Sequence, residues 1–415
     1  MITSIKFRNY KTFYKEVSLS FVADAQIKRF LCNASQKGNL NVLKTACIYG
    51  PNNTGKTCLI LALRNLRSLM LNEPHEDLTN SFVENDDIVS YVVEYIQNES
   101  FYRYSVEYNS KESKYLNEEL CSLKVQDSNH SVISSKAIVS RKNNKITLEG
   151  VEKKFSEQLA LMISDKYPIL NALSSFNNEI LNKAREDYLS FASSIDLLRM
   201  DSNIDISQTI KLIKTNPRGM NFVKEFVKNC DLHIDDFGYD EDIRSDVDLT
   251  NILRNPLDKS SMSFYSEHKN HRVPSFIFDS VGTRKIIALS GYIYNALKFN
   301  KILLIDEIDS SLHHILTRAI VSMFNNELNK SSQLIFTTHD LLLMDLKHLL
   351  RKDQIFLTDI QNDESIVISL TSFPSNTENG IRGNEDIISH YTKGRFGSIP
   401  TANLIESLLE VYADE

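Results

Sequence analysis

The stretch that decides the fold is residues 50–57, Gly50-Pro51-Asn52-Asn53-Thr54-Gly55-Lys56-Thr57. It matches the pattern GxxxxGK[ST] of a phosphate-binding loop in full. Residues 42–49 before it favour a short strand, and apolar residues recur at helical spacing in residues 56–71 after it. The loop requires a strand on one side and a helix on the other, so this context supports the match. Its glycines let backbone N–H groups wrap a phosphate at the positive end of the helix.

The residues of this loop have separate expected roles. Lys56 would reach the β- and γ-phosphates of a nucleotide, and the hydroxyl of Thr57 would hold Mg²⁺. The residues that we predict to bind the nucleotide here are Gly50, Pro51, Asn52, Asn53, Thr54, Gly55, Lys56, Thr57 and Cys58.

Two apolar runs further along the chain end in polar residues. Residues 302–305 predict a strand buried on both faces, and Asp306 and Glu307 follow it at the end where ligands bind in parallel sheets. Asp306 would position Mg²⁺ or its water, and Glu307 would be the base that polarises the attacking water. His339 follows the next predicted strand and could reach the γ-phosphate. Taken alone, an acidic turn and a single histidine are as easily structural.

Ser280 and Gly282 form a fourth motif, at the start of a helix predicted over residues 282–299. A serine and a glycine at a helix N-terminus make an anion-binding nest. The signal is weak in isolation, because serine is an ordinary helix cap. Its place in order among the other motifs gives it weight.

Outside the motifs, the sequence predicts a nucleotide-binding α/β core interrupted by an insertion. Alternating apolar residues before position 22 and between 88 and 149 are typical of antiparallel strands. We therefore expect residues 1–150 and 273–415 to form two parts of one nucleotide-binding core with an antiparallel β subdomain. Residues 151–272 would form a compact helical insertion with a mobile loop. Further expectations are a loop over residues 33–41, a strand over 273–278 and a helix over 312–328.

Composition excludes several classes of protein. Apolar residues make up 42% of the 415 residues and charged residues 24%, which excludes disorder for most of the chain. A net charge of −7 excludes a basic nucleic-acid coat. Five cysteines without a CxxC pair argue against a disulfide framework and a zinc site. No long apolar run or signal-peptide core occurs, so we expect a soluble cytoplasmic protein without a membrane partner.

The ordered motifs resemble the ABC-type ATPase heads of the SMC and RecF-like proteins, and bacterial ATPases related to the OLD family and to phage defence. The segments that carry the resemblance are IKFRNYKTF, GPNNTGKT, SVGTRK, LLIDEIDSSLHH, LIFTTHD and HYTKGRFGSIP. They cover roughly residues 1–71 and 275–400. The signature differs from the transporter sequence LSGGQ, and Gln97 is only a weak candidate for a Q-loop glutamine.

This resemblance implies a mechanism. Two heads would sandwich two ATP molecules with Mg²⁺, each held by the phosphate loop of one subunit and the signature of the other. Ser280 and Gly282 would then act on the γ-phosphate of the partner's nucleotide. Asp309 and Ser310 would lie at the dimer seam, and His339 would be the switch histidine. The implied activity is a slow ATPase.

Three functions stay open at this point. The first is an ATP-gated sensor or scaffold that controls a separate protein effector in anti-phage defence. The second is a RecF- or SMC-like ATPase that clamps DNA, for which the basic pairs are Arg141-Lys142, Lys153-Lys154 and Arg351-Lys352. We expect these pairs to be solvated faces. The third, a stand-alone toxin or nuclease, ranks last, because no nucleophile or metal cluster is evident outside the ATP site.

Overall fold

The computed structural model describes most of the chain in eleven ranges. They are residues 1–75, 79–80, 82–83, 86–125, 132–142, 145–172, 178–200, 205–230, 233–240, 263–373 and 387–397. All structural statements below concern these residues.

The described residues form eighteen strands and ten α-helices. The strands are β1 (Ile2–Arg8), β2 (Val17–Ser20), β3 (Ala34–Lys37), β4 (Leu40–Leu43), β5 (Thr45–Tyr49), β6 (Ile88–Gln97), β7 (Ser100–Asn109), β8 (Lys114–Val125), β9 (Val132–Lys142), β10 (Lys145–Leu148), β11 (Ile195–Arg199), β12 (Asp236–Tyr239), β13 (Phe264–His268), β14 (His271–Pro274), β15 (Ile302–Asp306), β16 (Gln333–Thr337), β17 (Ile355–Gln361) and β18 (Glu364–Ser369). The helices are α1 (Lys56–Leu71), α2 (Lys153–Met162), α3 (Ile169–Ala172), α4 (Glu179–Ser193), α5 (Ser207–Thr215), α6 (Pro217–Asn229), α7 (Ser275–Phe278), α8 (Val281–Phe299), α9 (His314–Asn325) and α10 (Ile387–Thr392).

The central sheet positions the motifs. Its strand order is β11-β15-β16-β5-β17-β18, and every pair is parallel except β17 with β18. Strands β5, β15 and β16 are buried along their whole length, which explains their continuous apolar sequences. Since neighbouring parallel strands end at one edge, the residues after Tyr49, Ile305 and Thr337 come together there.

A second, antiparallel sheet packs over helix α1. Its strand order is β10-β9-β8-β7-β6-β1-β2. Buried and half-buried residues alternate along β7, as expected for a sheet with one face on the core. One apolar cluster joins this sheet to α1, α4 and the central sheet, and it includes Ile5, Leu63, Tyr91, Phe191 and Ile335. The α/β class with an antiparallel subdomain is therefore confirmed.

The middle of the chain also contributes to the central sheet. Strand β11 pairs in parallel with β15, from Ile195 opposite Ile302 to Arg199 opposite Asp306. Helices α5 and α6 pack against α8, and the small sheet β12-β13-β14 lies beside them. Residues 151–272 are thus more than a helical insertion, while the boundaries at 151 and 272 stay predictions.

Several local expectations are wrong. Residues 33–41 form most of the β3–β4 hairpin rather than a loop, and residues 275–278 form the short helix α7 rather than a strand. The predicted helix over 312–328 ends at Asn325. Strand β9 lies within the region predicted to hold antiparallel strands, although most of its first half is exposed. The predicted mobile loop at 240–261 lies, beyond Asp240, outside the described residues.

None of the described helices is long and apolar enough to cross a membrane. All five cysteines, Cys32, Cys47, Cys58, Cys121 and Cys230, are free thiols.

Candidate functional site

The loop between β5 and α1 has a backbone that glycine makes possible. Gly55 has a φ of 101°, and Asn53 also has a positive φ of 64°. A Cβ atom on Gly55 would lie 2.7 Å from Cζ of Phe13 and 2.9 Å from Oγ1 of Thr12. A Cβ atom on Gly50 would lie 2.1 Å from Oγ1 of Thr358. Both glycines are therefore required by close neighbours as well as by conformation.

Lys56 lies across this loop. Its Nζ donates to the carbonyl oxygens of Gly50 at 2.8 Å and Pro51 at 2.7 Å. Burial lowers the pKa of Lys56, and the carboxylates of Glu307 and Asp306 oppose that effect. The ammonium is thus held at the centre of the loop, where a phosphate oxygen would replace the two carbonyls as its partner.

Asp306 and Thr57 bring together the two parts of the predicted magnesium site. The hydroxyl of Thr57 lies 3.3 Å from Oδ1 of Asp306, and the hydroxyl of Thr337 donates to the same oxygen at 2.7 Å. Hydroxyl and carboxylate oxygens are the ligands that Mg²⁺ prefers in proteins. The residues present therefore fit a magnesium ion.

Glu307 follows in a conformation that is rare outside glycine. Its φ is 56°, and its N–H donates to Oγ1 of Thr337 at 2.7 Å. The side chain is exposed at the strand edge, beside a loop built to hold phosphates. An uncommon backbone conformation fixed by a buried hydroxyl is a frequent property of catalytic positions.

His339 lies at the same edge. Its backbone N–H donates to the carboxylate of Asp309, at 3.2 Å to Oδ2 and 3.3 Å to Oδ1. Partial desolvation lowers the pKa of the imidazole, and the positive charge of Lys56 lowers it further. The neutral ring is therefore favoured at pH 7, with one nitrogen able to donate and one able to accept a hydrogen bond.

The signature residues face a different cavity. Ser280 caps α8 by accepting the N–H of Thr283 at 3.1 Å. Ser280 and Gly282 line a cavity of about 400 Å³ together with Ser311 and His313. None of the residues that line it belongs to the phosphate loop. The structure thus joins the phosphate loop, Asp306, Glu307 and His339, and places the signature apart from them.

The remaining predicted positions have simple places in the loop. Asn52 and Asn53 are exposed, Pro51 is half-buried, and Thr54 hydrogen-bonds Thr358 at 2.6 Å. The Cys58 side chain packs against the apolar core, so only its backbone can face a phosphate.

Some expectations and omissions concern the surroundings of the site. Gln97 lines a cavity with Asn300 and Lys301, which precede β15, so it lies at the opposite edge of the sheet from Asp306. It is therefore no Q-loop glutamine. Sequence reasoning missed Thr337 and Thr358. Thr337 ends the predicted strand before His339, and that position was the available signal.

Among the described residues, no group of three or more His, Cys, Asp or Glu side chains is placed to hold a metal ion.

A phosphate loop with a lysine, a hydroxyl–carboxylate pair and an adjacent glutamate defines a P-loop nucleoside triphosphatase site. A model of the family described as "AAA domain, putative AbiEii toxin, Type IV TA system" matches residues 46–345. The match spans well over half of the chain, and the chain belongs to this family. It is an ATPase domain of that type.

Solved structures with a similar fold are heads of SMC proteins. The SMC head domain from Thermotoga maritima is 12% identical, with a TM-score of 0.42, 89% of this chain covered and 98% of that one. The Smc head bound to the C-terminal winged-helix domain of ScpA is 14% identical, with a TM-score of 0.44 and coverages of 89% and 99%. A comparison with curated proteins gave no match.

Proposed function

We propose that this protein hydrolyses ATP, dimerises around it, and thereby controls a separate effector protein in anti-phage defence. The observation that carries the proposal is the separation of two halves of an ATP site within one chain. The phosphate loop and Glu307 lie at one place, and Ser280 and Gly282 line another cavity. A second copy of the chain would bring the two halves together.

Each residue of the first half has a chemical role in the proposed reaction. Lys56 binds the γ-phosphate, and Glu307 accepts a proton from the water that attacks it. Asp306 and Thr57 would hold Mg²⁺, which supplies positive charge to the phosphate oxygens when bound. His339, neutral at pH 7, orients the water or hydrogen-bonds the γ-phosphate. The products are ADP and phosphate, and we expect slow turnover.

Exposed apolar side chains support a dimer at the signature. Phe278 and Val281 flank Ser280 in the chain and are 63% and 46% exposed. Ile315 lines the same cavity as Ser280 and is 60% exposed. Large apolar side chains gathered around a proposed functional surface are a usual mark of an interface.

The proposed role in defence is supported by the family description and by the sequence resemblance. The family description names a toxin–antitoxin system, and the sequence resembles phage-defence ATPases. Both favour a regulated protein partner over a housekeeping role. A location in the cytoplasm, where free thiols persist, belongs to the same proposal.

The alternative is an ATPase that clamps DNA, and the burial of two arginines weakens it. Arg141 and Arg351, each from one of the three basic pairs, are only 2% exposed. Arg351 binds Asp353 at 2.7 Å instead of facing solvent. The expectation that these pairs are solvated faces is therefore wrong for both arginines. Neither can contact a DNA phosphate without losing internal partners.

The test starts with the purified Glu307→Gln variant, Mg²⁺ and ATP. We expect dimers by light scattering in ATP, and monomers in ADP or with Lys56→Ala, because only the bound γ-phosphate bridges two subunits.

The Glu307→Gln variant then serves as bait in its native host, with Lys56→Ala as the matched control. A stoichiometric protein retained only by the Glu307→Gln dimer supports the scaffold. Salt-sensitive DNA binding without a protein would favour the clamp. Normal ATP turnover by Glu307→Gln would exclude the assigned base.

A further inference from the structure

A buried lysine connects the signature helix to the turn after the catalytic carboxylates. Lys285 lies in the second turn of α8 and is 3% exposed. Its Nζ donates to the carbonyl oxygen of Met200 at 2.6 Å, to Oγ of Ser310 at 2.9 Å and to the carbonyl oxygen of Ser310 at 3.1 Å. Oγ of Ser311 lies at 3.4 Å. These acceptors are all neutral oxygens.

The turn that Lys285 binds leads directly to Glu307. The backbone N–H of Ser310 donates to the carbonyl oxygen of Glu307 at 2.9 Å. Ser311 has a positive φ of 61°, so this turn has little freedom to relax. The backbone of Glu307 is thus two hydrogen bonds away from the ammonium of Lys285.

The first turn of α8 touches the same segment. A Cβ atom on Gly282 would lie 3.0 Å from the carbonyl oxygen of Ser311. A displacement of Gly282 toward Ser311 would therefore press directly on the turn.

Burial of the ammonium makes the hydrogen bonds between Lys285 and Ser310 costly to break. A charge removed from water is tolerated only while its hydrogen-bond donors are satisfied. Breaking the bonds to Ser310 would remove two hydrogen-bond acceptors from a buried ammonium, which is costly. Helix α8 and the 307–311 turn consequently move together.

We propose that Lys285 is a positioning residue that couples the two nucleotide sites of a dimer. The signature of one subunit would contact the partner's nucleotide, and Lys285 would transmit that contact to Glu307 of the same subunit. Each site would then be set for hydrolysis only when the other is filled. This inference rests on the proposed ATP-bound dimer.

The test compares Lys285→Met with Lys298→Met. Methionine keeps the length of the lysine chain without its charge, and Lys298 is an exposed lysine at the end of the same helix. For Lys285→Met we expect turnover to fall by about 10- to 100-fold, as for a displaced catalytic group. We also expect the Hill coefficient for ATP to fall to about 1, because the two sites no longer communicate. The monomer's affinity for a non-hydrolysable ATP analogue should be retained. Lys298→Met should match the wild type in all three.

A purely structural lysine would give a different result. Lys285→Met would then lower the melting temperature and analogue binding, and the remaining folded protein would keep the wild-type Hill coefficient. If Lys285→Met does not fold, Ser310→Ala tests the same connection, because it removes the hydroxyl that accepts a hydrogen bond from Lys285. It should lower the Hill coefficient without lowering the melting temperature, and an unchanged coefficient would overturn the proposal.

Measurements on the wild-type protein distinguish a failure of the coupling proposal from a failure of the ATPase proposal. Cooperative hydrolysis is expected. Hydrolysis with a Hill coefficient of 1 would overturn the coupling and leave the ATPase proposal intact. Absence of hydrolysis by the wild type would overturn the proposed function and the coupling with it.

Discussion

The hydroxyl of Thr337 donates a 2.7 Å hydrogen bond to Oδ1 of Asp306. The same hydroxyl accepts the N–H of Glu307 at 2.7 Å, and Thr337 is completely buried. One side chain on β16 therefore fixes both carboxylate-bearing residues at the end of β15. Thr337 is itself neither a proposed phosphate-binding residue nor a proposed metal ligand, yet it positions both Asp306 and Glu307.

We expect Thr337→Val to impair ATP hydrolysis and to destabilise the protein. Valine keeps the shape of threonine but removes a donor to Asp306 and an acceptor for Glu307. Leaving buried groups unpaired costs about 1–3 kcal/mol of unfolding free energy. Urea unfolding and steady-state ATPase assays measure the two effects.

Thr317→Val is the matched control. Thr317 is equally buried, on α9, but its hydroxyl has no hydrogen-bond partner among the residues that the structure describes. Its replacement should leave activity intact and stability unchanged or slightly higher. Equal losses in Thr337→Val and Thr317→Val would contradict the role given to Thr337.

Gly55→Ala should abolish nucleotide binding. The new Cβ would collide with Phe13 and Thr12 at under 3 Å, on a residue whose φ is 101°. The phosphate loop must then change shape. Gly38→Ala is the control for backbone conformation. Gly38 also has a positive φ, 55°, but a Cβ atom there would lie 3.4 Å from Phe101, which is an ordinary van der Waals contact. Fluorescent ATP titration should show lost affinity for Gly55→Ala alone.

Ser280→Asp should block ATP-dependent dimers without harming the monomer. Aspartate and asparagine cap helices about as well as serine, so Ser280→Asn and Ser280→Asp both preserve α8. Only the aspartate places a negative charge where the partner's γ-phosphate is proposed to bind, and like charges in an interface are strongly unfavourable. Light scattering in Mg-ATP distinguishes the variants. Dimers formed equally by both would place the signature outside the seam.

His339 should titrate below pH 6.5, because its pKa is lowered in the folded protein. The unfolded chain then binds more protons, so this group stabilises the fold above pH 6.5 and the contribution is lost as pH falls through the folded pKa. Lys56→Met removes a positive neighbour and should raise the pKa of His339, though not fully, since desolvation is the larger cause. Histidine NMR titration measures both values. An unchanged pKa in Lys56→Met would exclude the electrostatic contact.

Arg351→Met should cost about 3–5 kcal/mol of unfolding free energy, because the buried carboxylate of Asp353 loses its partner. Arg351 also donates to the carbonyl oxygens of Ile27 and Arg29, so the loop near residue 27 should loosen. Replacing Asp353 by leucine as well should recover part of the loss. Lys347→Met, at an exposed position nearby, should stay within about 0.5 kcal/mol of the wild type in denaturant unfolding.

Motifs with fixed chemistry were predictable from the sequence. Residues 50–57 specify the loop because lysine, threonine and two glycines have separate chemical reasons to occur there. The buried strands β15 and β16 were predictable because both faces are covered, which leaves an unbroken apolar run.

Long-range pairing was not predictable in the same way. Strand β11 has an ordinary local sequence, and its place beside β15 depends on packing between distant segments. The sequence around Arg351 predicts an exposed charge, because its partners lie in the distant loop near residue 27. The signature's contact with Ser311 likewise depends on tertiary structure.

The position of β5 between β16 and β17 has a consequence for biosynthesis. Strand β5 leaves the ribosome well before the strands with which it pairs, which begin at Gln333 and Ile355. At about 5–20 residues per second, β5 waits on the order of 15–60 s for its partner strands. During that time an apolar strand has exposed edges, which favours association with other chains. The nascent protein should therefore depend on holding chaperones until β16 and β17 have been made.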